Sequence, residues 1–430
     1  MSSSQRARQV GELAPKDAFV WIWLPGRLEP VVAGQLAVEG LVCQFTYSSS
    51  YLERGDAIPI FAPELPLQRG VLTPLPPLDV AGCLRDGSPD AWGRRTIVRQ
   101  LTGLVGEAAR DIELDELTVM LHSSSGRIGA LDFQRSGARY EPRALKPVAL
   151  DALLEAAECL EEGEPMSPSL TEALNQGSGV GGARPKALVE DARGHFIAKF
   201  PAPGDVQAVV KAEYVAMRLA KEAAHLTVAP VQLQQARGKD VLLVQRFDRE
   251  RHDRGWTRRA MVSALTLFGL SEMEARYASY CELATIIQAH FTEPEATLHE
   301  LFGRMVFNVL VGNTDDHARN HAAFWGGAHL SLTPAYDICP QSRLGREANQ
   351  AMFINGDDRR SRLESCRRAA PQFLLADVDA RALIAAQVIG VRRHWHGICD
   401  EAGLSQGQRE VFWKRQFLND YVFEGYPDRF

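Results

Sequence analysis

An α+β fold of two lobes, the second mostly helical, with an additional β-rich segment in front of them, is what the sequence predicts. Three observations predict it. The first 60 residues alternate between short apolar runs and turn residues, as strands do. A glycine-rich run at 177–186 then precedes two strand-like apolar runs, the second carrying a lone lysine, Lys199. Beyond residue 300 helical spacing dominates, interrupted by Gly312-Asn313-Thr314-Asp315-Asp316-His317-Ala318-Arg319-Asn320-His321.

That interruption organises the chain. Asp315-x-x-x-x-Asn320, followed by Tyr336-Asp337-Ile338, has the spacing of a protein-kinase catalytic loop and its metal-binding Asp. Transfer of a γ-phosphoryl group needs one carboxylate near the attacking hydroxyl and two oxygen ligands on Mg²⁺. Asp315 would be that base, and Asn320 and Asp337 would hold the metal that bridges the phosphates of ATP. Asp316 is only four residues from Asn320, which favours Asp315. Two other readings stay open. Asn313-Thr314-Asp315 could cap a following helix. Asp315, Asp316, His317, His321 and Asp337 could form a hydrolytic metal site, against which stands the lack of an HExxH-type pair.

Length and composition permit such a protein and exclude several others. The 430 residues suffice for two or three domains, and 45% hydrophobic with 24% charged residues is ordinary for a soluble globular chain. A net charge of −6 gives no reason to bind nucleic acid directly. Seven scattered cysteines without a CxxC pair argue against a disulfide framework or zinc knuckle. The first residues lack an apolar signal core, and no segment approaches the roughly 20 apolar residues of a membrane helix. The expected location is the cytoplasm.

Taken in order, Ala18 to Leu24 reads as a buried strand ended by Pro25-Gly26, and Ala33 to Val38 with Leu41 to Tyr47 completes a β-meander. Residues 65–78 are Pro-rich and irregular. In Ser88-Pro89-Asp90-Ala91-Trp92-Gly93-Arg94-Arg95, Ser88 would cap a helix beginning at Pro89, with Asp90 in its first turn. Arg94 and Arg95 are either phosphate ligands or partners of nearby carboxylates. Leu114, Leu117 and Leu121 have helical spacing, and Ile128 to Phe133 reads as a strand. The divisions expected are an N-terminal β-rich subdomain over 1–125, a first lobe over 126–248 and a helical lobe over 249–430.

Asp151 to Glu162 reads as an amphipathic helix. Glycines in Gly177-Ser178-Gly179-Val180-Gly181-Gly182-Ala183-Arg184-Pro185-Lys186 would let backbone N–H groups approach phosphates, although such a run also suits a flexible hairpin. Lys199 in Phe196-Ile197-Ala198-Lys199-Phe200 needs an anionic partner in its apolar strand. Ala208 to Ala224 is a helix on which Glu213 either pairs with Lys199 or lies at the surface. Val241 to Arg249 reads as a hinge strand whose backbone could meet an adenine edge, and Arg249 to Arg259 as a solvated charged loop. Val378 to Val388 and Gln408 to Phe417 read as helices, between which His394-Trp395-His396 lacks partners at metal spacing.

On these residues the sequence resembles the HipA family of toxin–antitoxin serine/threonine kinases. The carrying motifs are Gly181-Gly182-Ala183-Arg184-Pro185-Lys186, Gln245-Arg246-Phe247-Asp248-Arg249, Asn313 to Asn320 and Ala335-Tyr336-Asp337, with Ser88 to Arg95 as a family variant. The resemblance covers nearly the whole chain. It implies a bilobal protein-kinase-like fold with a mostly helical C-lobe. It implies Asp315 as catalytic base, and Mg²⁺ on Asn320 and Asp337. ATP would meet Gly181, Gly182, Ala183, Lys186, Lys199, the hinge Gln245, Arg246 and Phe247, and His317 and Tyr336. It implies a cytosolic protein substrate, an aminoacyl-tRNA synthetase in family members, and a small HipB-like DNA-binding antitoxin through which alone DNA is reached. The family often has Glu where Gln245 stands. Its autophosphorylated Ser falls at Gly179 here, with Ser178 the neighbouring hydroxyl. The alternative is a catalytically silent scaffold acting as antitoxin-binding corepressor.

Overall fold

Alternating apolar residues in β1 (Asp17–Ile22) place Ala18, Val20 and Ile22 in a core, each fully buried. The computed structural model describes residues 15–110, 112–143, 148–175, 178–179, 182–205, 207–343 and 345–428. Within them β1 pairs antiparallel with β2 (Val31–Glu39) and with β5 (Leu131–Gln134). β3 (Val42–Tyr47) and β4 (Val71–Leu72) complete a five-stranded sheet of order β4-β3-β2-β1-β5. The meander expected from the sequence is therefore present, enlarged by two short strands.

The chain divides into two compact units. The first comprises Met1–Asp205, Gln234–Val262 and Trp325–Ala328. Besides the first sheet it holds α1 (Ala91–Thr102), α2 (Glu116–His122) and α3 (Leu150–Glu162). A second sheet, of order β6-β7-β9-β8, is built from β6 (Lys186–Asp191), β7 (Gly194–Lys199), β8 (Val231–Ala236) and β9 (Lys239–Gln245). Leu153, Leu154, Ala157 and Leu160 recur at helical spacing on α3 and pack in one core with Phe196, Ala198, Val241 and Leu243 of that sheet. Gly163 at φ +74 ends α3 in the left-handed region that glycine tolerates.

Two expectations about this unit need correction. Helix α1 begins at Ala91, and its N-cap residue is Asp90 rather than Ser88. The Ser88 hydroxyl donates instead to Glu116 Oε2 at 3.2 Å. Residues 249–259 are not an irregular loop, although 250–254 are exposed as expected. They form the hairpin β10 (Arg249–His252) and β11 (Gly255–Arg258), with Arg249 paired opposite Arg258 and only 8% exposed. Of its arginines, Arg249 is received by the buried Asp248 and Arg258 stacks on Trp23, while those of the turn stay at the surface.

The second unit comprises Val206–Leu233, Ser263–Phe324 and His329–Phe430. It is mainly helical, with α4 (Val209–Glu222), α5 (Tyr280–His290), α6 (Pro294–Val311) and α7 (Asp377–Glu401). Pro294 sits at the first turn of α6, where its missing N–H costs nothing. Every α6 residue from Leu301 to Val311 is buried. Helices α4 and α7 approach so closely that a Cβ on Gly390 would lie 2.3 Å from the Ala223 carbonyl oxygen. The C-terminal helices differ from expectation in length. The first runs to Glu401, and the second spans Gln406–Phe412 only, after which Phe417 packs on the buried Trp395 at 4.7 Å. Among the described residues no helix is long and apolar enough to cross a membrane.

Asp132 on β5 supports the first unit from within. It is fully buried and accepts from Arg127 Nε at 2.9 Å, Arg143 Nη2 at 2.8 Å, Ser125 Oγ at 2.6 Å and Tyr140 OH at 2.9 Å. Burial pushes its pKa up, but Arg127, Arg143 and the Ser125 hydrogen bond outweigh that and hold it at about 2. A carboxylate lowered on folding stabilises above its unfolded pKa and loses that contribution as pH falls through its folded one. The unit should therefore lose stability between about pH 4 and about pH 2. Asp132→Asn should cost on the order of 3–5 kcal/mol at pH 7, since it leaves Arg127 without its counter-charge. It should also remove its share of the acid loss. Urea denaturation across that pH range checks both effects.

Candidate active site

The loop after α6 begins with a sharp reversal. Gly312 adopts φ +71, and the amide of Asn313 returns to the Asn308 carbonyl at 2.9 Å. A Cβ on Gly312 would stand 2.8 Å from the Gln416 carbonyl oxygen, so both backbone angle and space demand glycine here. The side chain of Asn313 donates to Asn308 Oδ1 at 3.0 Å. No regular helix follows, only a single 3-10 turn, Ala318–Asn320, whose N-cap residue His317 makes no side-chain cap bond. The helix-capping reading of Asn313-Thr314-Asp315 thus fails.

The two adjacent aspartates have opposite environments. Asp316 is 3% exposed, and its Oδ2 is met by Asn308 Nδ2 at 2.8 Å, by His321 Nε2 at 2.9 Å and by the Tyr280 hydroxyl. Burial would raise its pKa, but the charge and hydrogen bond of His321 and the hydrogen bond from Tyr280 bring it below the usual carboxylate value. Asp315 is exposed. Desolvation by the atoms around it raises its pKa, His317 opposes the rise, and the negative charges of Asp337 and Asp316 add to it. A carboxylate set beside other carboxylates and open to solvent can receive a proton or share a cation. Asp316 and His321, joined to each other, leave the hydrolytic metal set incomplete. Among the described residues no group of three or more His, Cys, Asp and Glu is placed to hold a metal ion.

Asn320 is 7% exposed, and its Nδ2 donates to the Asp315 carbonyl at 3.3 Å. Tyr336 donates its hydroxyl to the Arg319 carbonyl at 2.5 Å. Ala335 is tied to the segment before β8 by a parallel bridge with Val228. Asp337 follows in the left-handed region, φ +57, a conformation uncommon for a residue other than glycine. The loop and the Tyr336-Asp337 segment are therefore held together within the second unit by side-chain to backbone hydrogen bonds, from the Tyr336 hydroxyl and from Asn313 Nδ2, which donates to the Asp337 carbonyl at 3.5 Å. Glu213 on α4 is 4% exposed, which rules out the surface reading of that glutamate.

In the first unit, register brings the two lysines together. Lys186 on β6 is directly opposite Lys199 on β7, so both side chains rise from the same face of the sheet at neighbouring positions. Gly182 covers Lys186 so closely that a Cβ there would lie 1.7 Å from Nζ. Gly181, with Gly177 and Val180, lies outside the described residues. The exposed Ala183 directs its carbonyl to Arg95 Nη2 at 3.2 Å. Of the hinge residues, Gln245 ends β9 opposite Phe196. The Arg246 amide is engaged by the His195 carbonyl at 2.9 Å, and its side chain is buried against Asp248 and the Arg127 carbonyl. Any adenine contact at Arg246 is thereby restricted to its carbonyl.

Sequence reasoning overlooked how the glycine-rich run is gripped. Asp90 does not cap its own helix but accepts from the Gly182 amide, and Trp92 donates its amide to the Gly182 carbonyl at 3.0 Å. The Trp92 indole N–H reaches the Lys186 carbonyl at 2.8 Å. Arg94 pairs with Glu116 and Arg95 with Glu161, so both arginines take the carboxylate-partner reading rather than the phosphate one. The signal was present in the unusual density of Asp, Trp, Gly and Arg over 90–95, but its target was not.

A family model described as HipA-like C-terminal domain matches residues 178–395, more than half of the chain. The chain belongs to the HipA-like C-terminal domain family. Two curated relatives of this HipA-family chain are similar over part of their length. "Putative kinase Y4mE" of Sinorhizobium fredii is 29% identical over 147 residues, 33% of each chain. A "Putative kinase" of Haemophilus influenzae is 25% identical over 181 residues, 38% of this chain and 52% of the relative. The matches thus span about a third and about half of these relatives. A chain of the Shewanella oneidensis MR-1 complex of HipA, HipB and operator DNA has the same fold. It matches with a TM-score of 0.64 at 18% identity, over 94% of this chain and 99% of that one.

Within the HipA-family loop, substitution should separate the two aspartates. Asp316→Ala leaves the buried donors of Tyr280, Asn308 and His321 without an acceptor and should cost on the order of 3–5 kcal/mol. Asp315→Ala, at an exposed carboxylate, should stay within about 0.5 kcal/mol of wild type. Chemical denaturation of the two variants side by side checks the contrast.

Proposed function

We propose that this chain is an ATP- and Mg²⁺-dependent serine/threonine protein kinase that acts as the toxin of a HipA-type pair. The observation that carries the reading is the division of roles between two adjacent aspartates. Asp316 is buried as an anchor for the loop, and Asp315 is presented to solvent beside Asp337. A base for a substrate hydroxyl must be reachable, and its loop must not drift. A metal hydrolase would need Asp316 and His321 for its ligands, and they are engaged with each other.

The donor set suits Mg²⁺. Asn320 uses its amide nitrogen on the Asp315 carbonyl, which leaves the amide oxygen as a ligand, and Asp337 adds a carboxylate. Magnesium takes one or two such protein oxygens and completes its shell with phosphates and water. Bound there, it would neutralise charge on the transferring phosphates. Asp315 would accept the proton of the attacking Ser or Thr hydroxyl as that oxygen bonds to the γ-phosphorus. The bond from γ-phosphorus to the bridging oxygen breaks, and ADP leaves. Lys186 and Lys199 would hold nucleotide phosphates below the Gly182-Ala183 backbone. Gln245 to Phe247 would meet the base, and His317 and Tyr336 would line the nucleotide. We keep as a proposal a β-rich subdomain over 1–125, a nucleotide-holding lobe over 126–248 and a catalytic lobe over 249–430, although the two compact units have other bounds, 206–233 falling in the second and 249–262 in the first.

The substrate would be a cytosolic protein, an aminoacyl-tRNA synthetase by family resemblance, and a small HipB-like antitoxin would restrain the kinase. The fold shared with a HipA chain of a HipA–HipB–operator complex supports that partner. The net charge of −6 favours contact with DNA through the antitoxin alone. Ser178 is 1% exposed, its hydroxyl donating to the Asn175 carbonyl at 2.7 Å and accepting from the Ser124 amide at 3.0 Å. Autophosphorylation at Ser178 would require the run to leave this seat.

The test is label transfer from γ-labelled ATP with Mg²⁺, to the chain itself and to proteins of a cell extract. Wild type should label a discrete band, and Asp315→Ala should lower transfer by roughly 10²-fold or more with ATP binding retained. Chelation of Mg²⁺ should abolish transfer. Equal transfer by Asp315→Ala would refute the assignment of the base. ATP binding without transfer in wild type would instead establish the silent corepressor scaffold.

A further inference from the structure

The β10–β11 hairpin, the end of β9 and the segments before and after β5 bring five arginines into one region of the first unit. Two buried aspartates receive four of them. Asp132 takes Arg127 and Arg143, and Asp248 takes Arg246 at 2.7 Å and Arg249 at 2.8 Å. The Gly129 amide also donates to Asp248 at 2.7 Å. The fifth, Arg258, lies flat over the Trp23 ring with its guanidinium carbon 3.6 Å from the centroid. Its Nη1 is buried and has no hydrogen-bond partner among the described residues. Nor has the buried Nε2 of His195, whose ring stands edge-on to Trp256 at 4.6 Å.

These groups share a cavity of about 220 Å³, lined by Arg143, His195, Arg246, Arg249 and Arg258, with the exposed Glu190 as its acidic lining residue. One water needs only roughly 10–15 Å³ of such space. Glu190 Oε2 lies 3.7 Å from His195 Nδ1 and so faces the histidine rather than Arg258. Four guanidinium groups and an imidazole thus surround a space large enough for a tetrahedral anion. Planar guanidinium forks match phosphate oxygens in pairs.

We propose that this cavity binds a tetrahedral oxyanion, inorganic phosphate or the head of a phosphomonoester, with Arg258 Nη1 and His195 Nε2 as direct donors. The site belongs to the first unit alone and stands apart from the lysine pair assigned to nucleotide phosphates. The proposal does not rest on kinase activity.

The test titrates inorganic phosphate into the full chain in chloride buffer at constant ionic strength, read by calorimetry and by tryptophan fluorescence, since Trp23 and Trp256 flank the donors. One saturable site should appear. Arg258→Gln should weaken it by about tenfold or more, as the loss of one charge-assisted hydrogen bond implies. His195→Phe should weaken it as well, and it serves where Arg258→Gln fails to fold. Lys199→Met should leave the affinity unchanged. Displacement by O-phospho-L-serine would identify a phosphomonoester site, and saturable binding without displacement a free-phosphate site, each upholding the proposal. Non-saturable binding indistinguishable from chloride would overturn it. So would unchanged affinity in a folded Arg258→Gln or His195→Phe, or loss of binding in Lys199→Met.

Discussion

A single buried oxygen, Oδ2 of Asp316, sets the geometry on which the candidate site depends. A charge removed from water must be met by donors or it destabilises the fold. Here the donors come from three places in the second unit: Tyr280 at the start of α5, Asn308 near the end of α6, and His321 beyond the loop itself. Because all three converge on one atom, none of these segments can shift without breaking a charge-assisted bond. The loop of 312–321 has almost no regular structure of its own. Its rigidity is borrowed from that oxygen and from Gly312, whose backbone and lack of a side chain turn the chain off α6.

The glycine-rich run presents the opposite problem. It has few side chains with which to fix itself, so its anchors must come from elsewhere in the first unit. Asp90 and Trp92 hold both backbone groups of Gly182, and the Trp92 indole holds the end of the run at Lys186. Gly93 leaves no space for a Cβ, which would lie 2.4 Å from Pro89 Cβ and 3.1 Å from the Ser178 carbonyl oxygen. Helix α1 therefore lacks a side-chain cap, because its N-cap carboxylate serves another segment. An N-cap residue that gives up its own cap bond loses on the order of 1 kcal/mol of helix stability. Here it gains a fixed glycine turn over Lys186.

This contrast explains what could be read from the chain. Periodicity located α3, α4 and α6 and the meander, because an amphipathic face leaves a local trace. Spacing located Asp315, Asn320 and Asp337 in one loop and its neighbour, although their chemical roles rest on the proposed activity. Spacing could not separate Asp315 from Asp316 by burial, since the difference lies in partners that spacing does not reveal, Tyr280 from a separate helix and Asn308 inside α6. The same limit hid the seat of Ser178 and the grip of Asp90. It also turned 249–259 into an expected loop, because a run of charge shows neither the β10–β11 pairing nor which of its arginines has a buried counter-charge.

Those counter-charges show how a unit can bury several arginines. Each carboxylate has roughly four lone-pair sites, and Asp132 and Asp248 each gather two guanidinium groups together with neutral donors. Carboxylate oxygens, rather than space, then become the scarce component. Arg258 arrives when both are already occupied and is held by stacking on Trp23 instead. Stacking accommodates a guanidinium plane without using its N–H groups, so Nη1 is left without a partner beside the cavity that Arg258 lines. Burial, with the same excess of positive charge, lowers the pKa of His195 to about 4 and keeps its imidazole neutral near pH 7. A region assembled in this way is complete as packing but not as electrostatics, and an anion is the kind of ligand that would complete it.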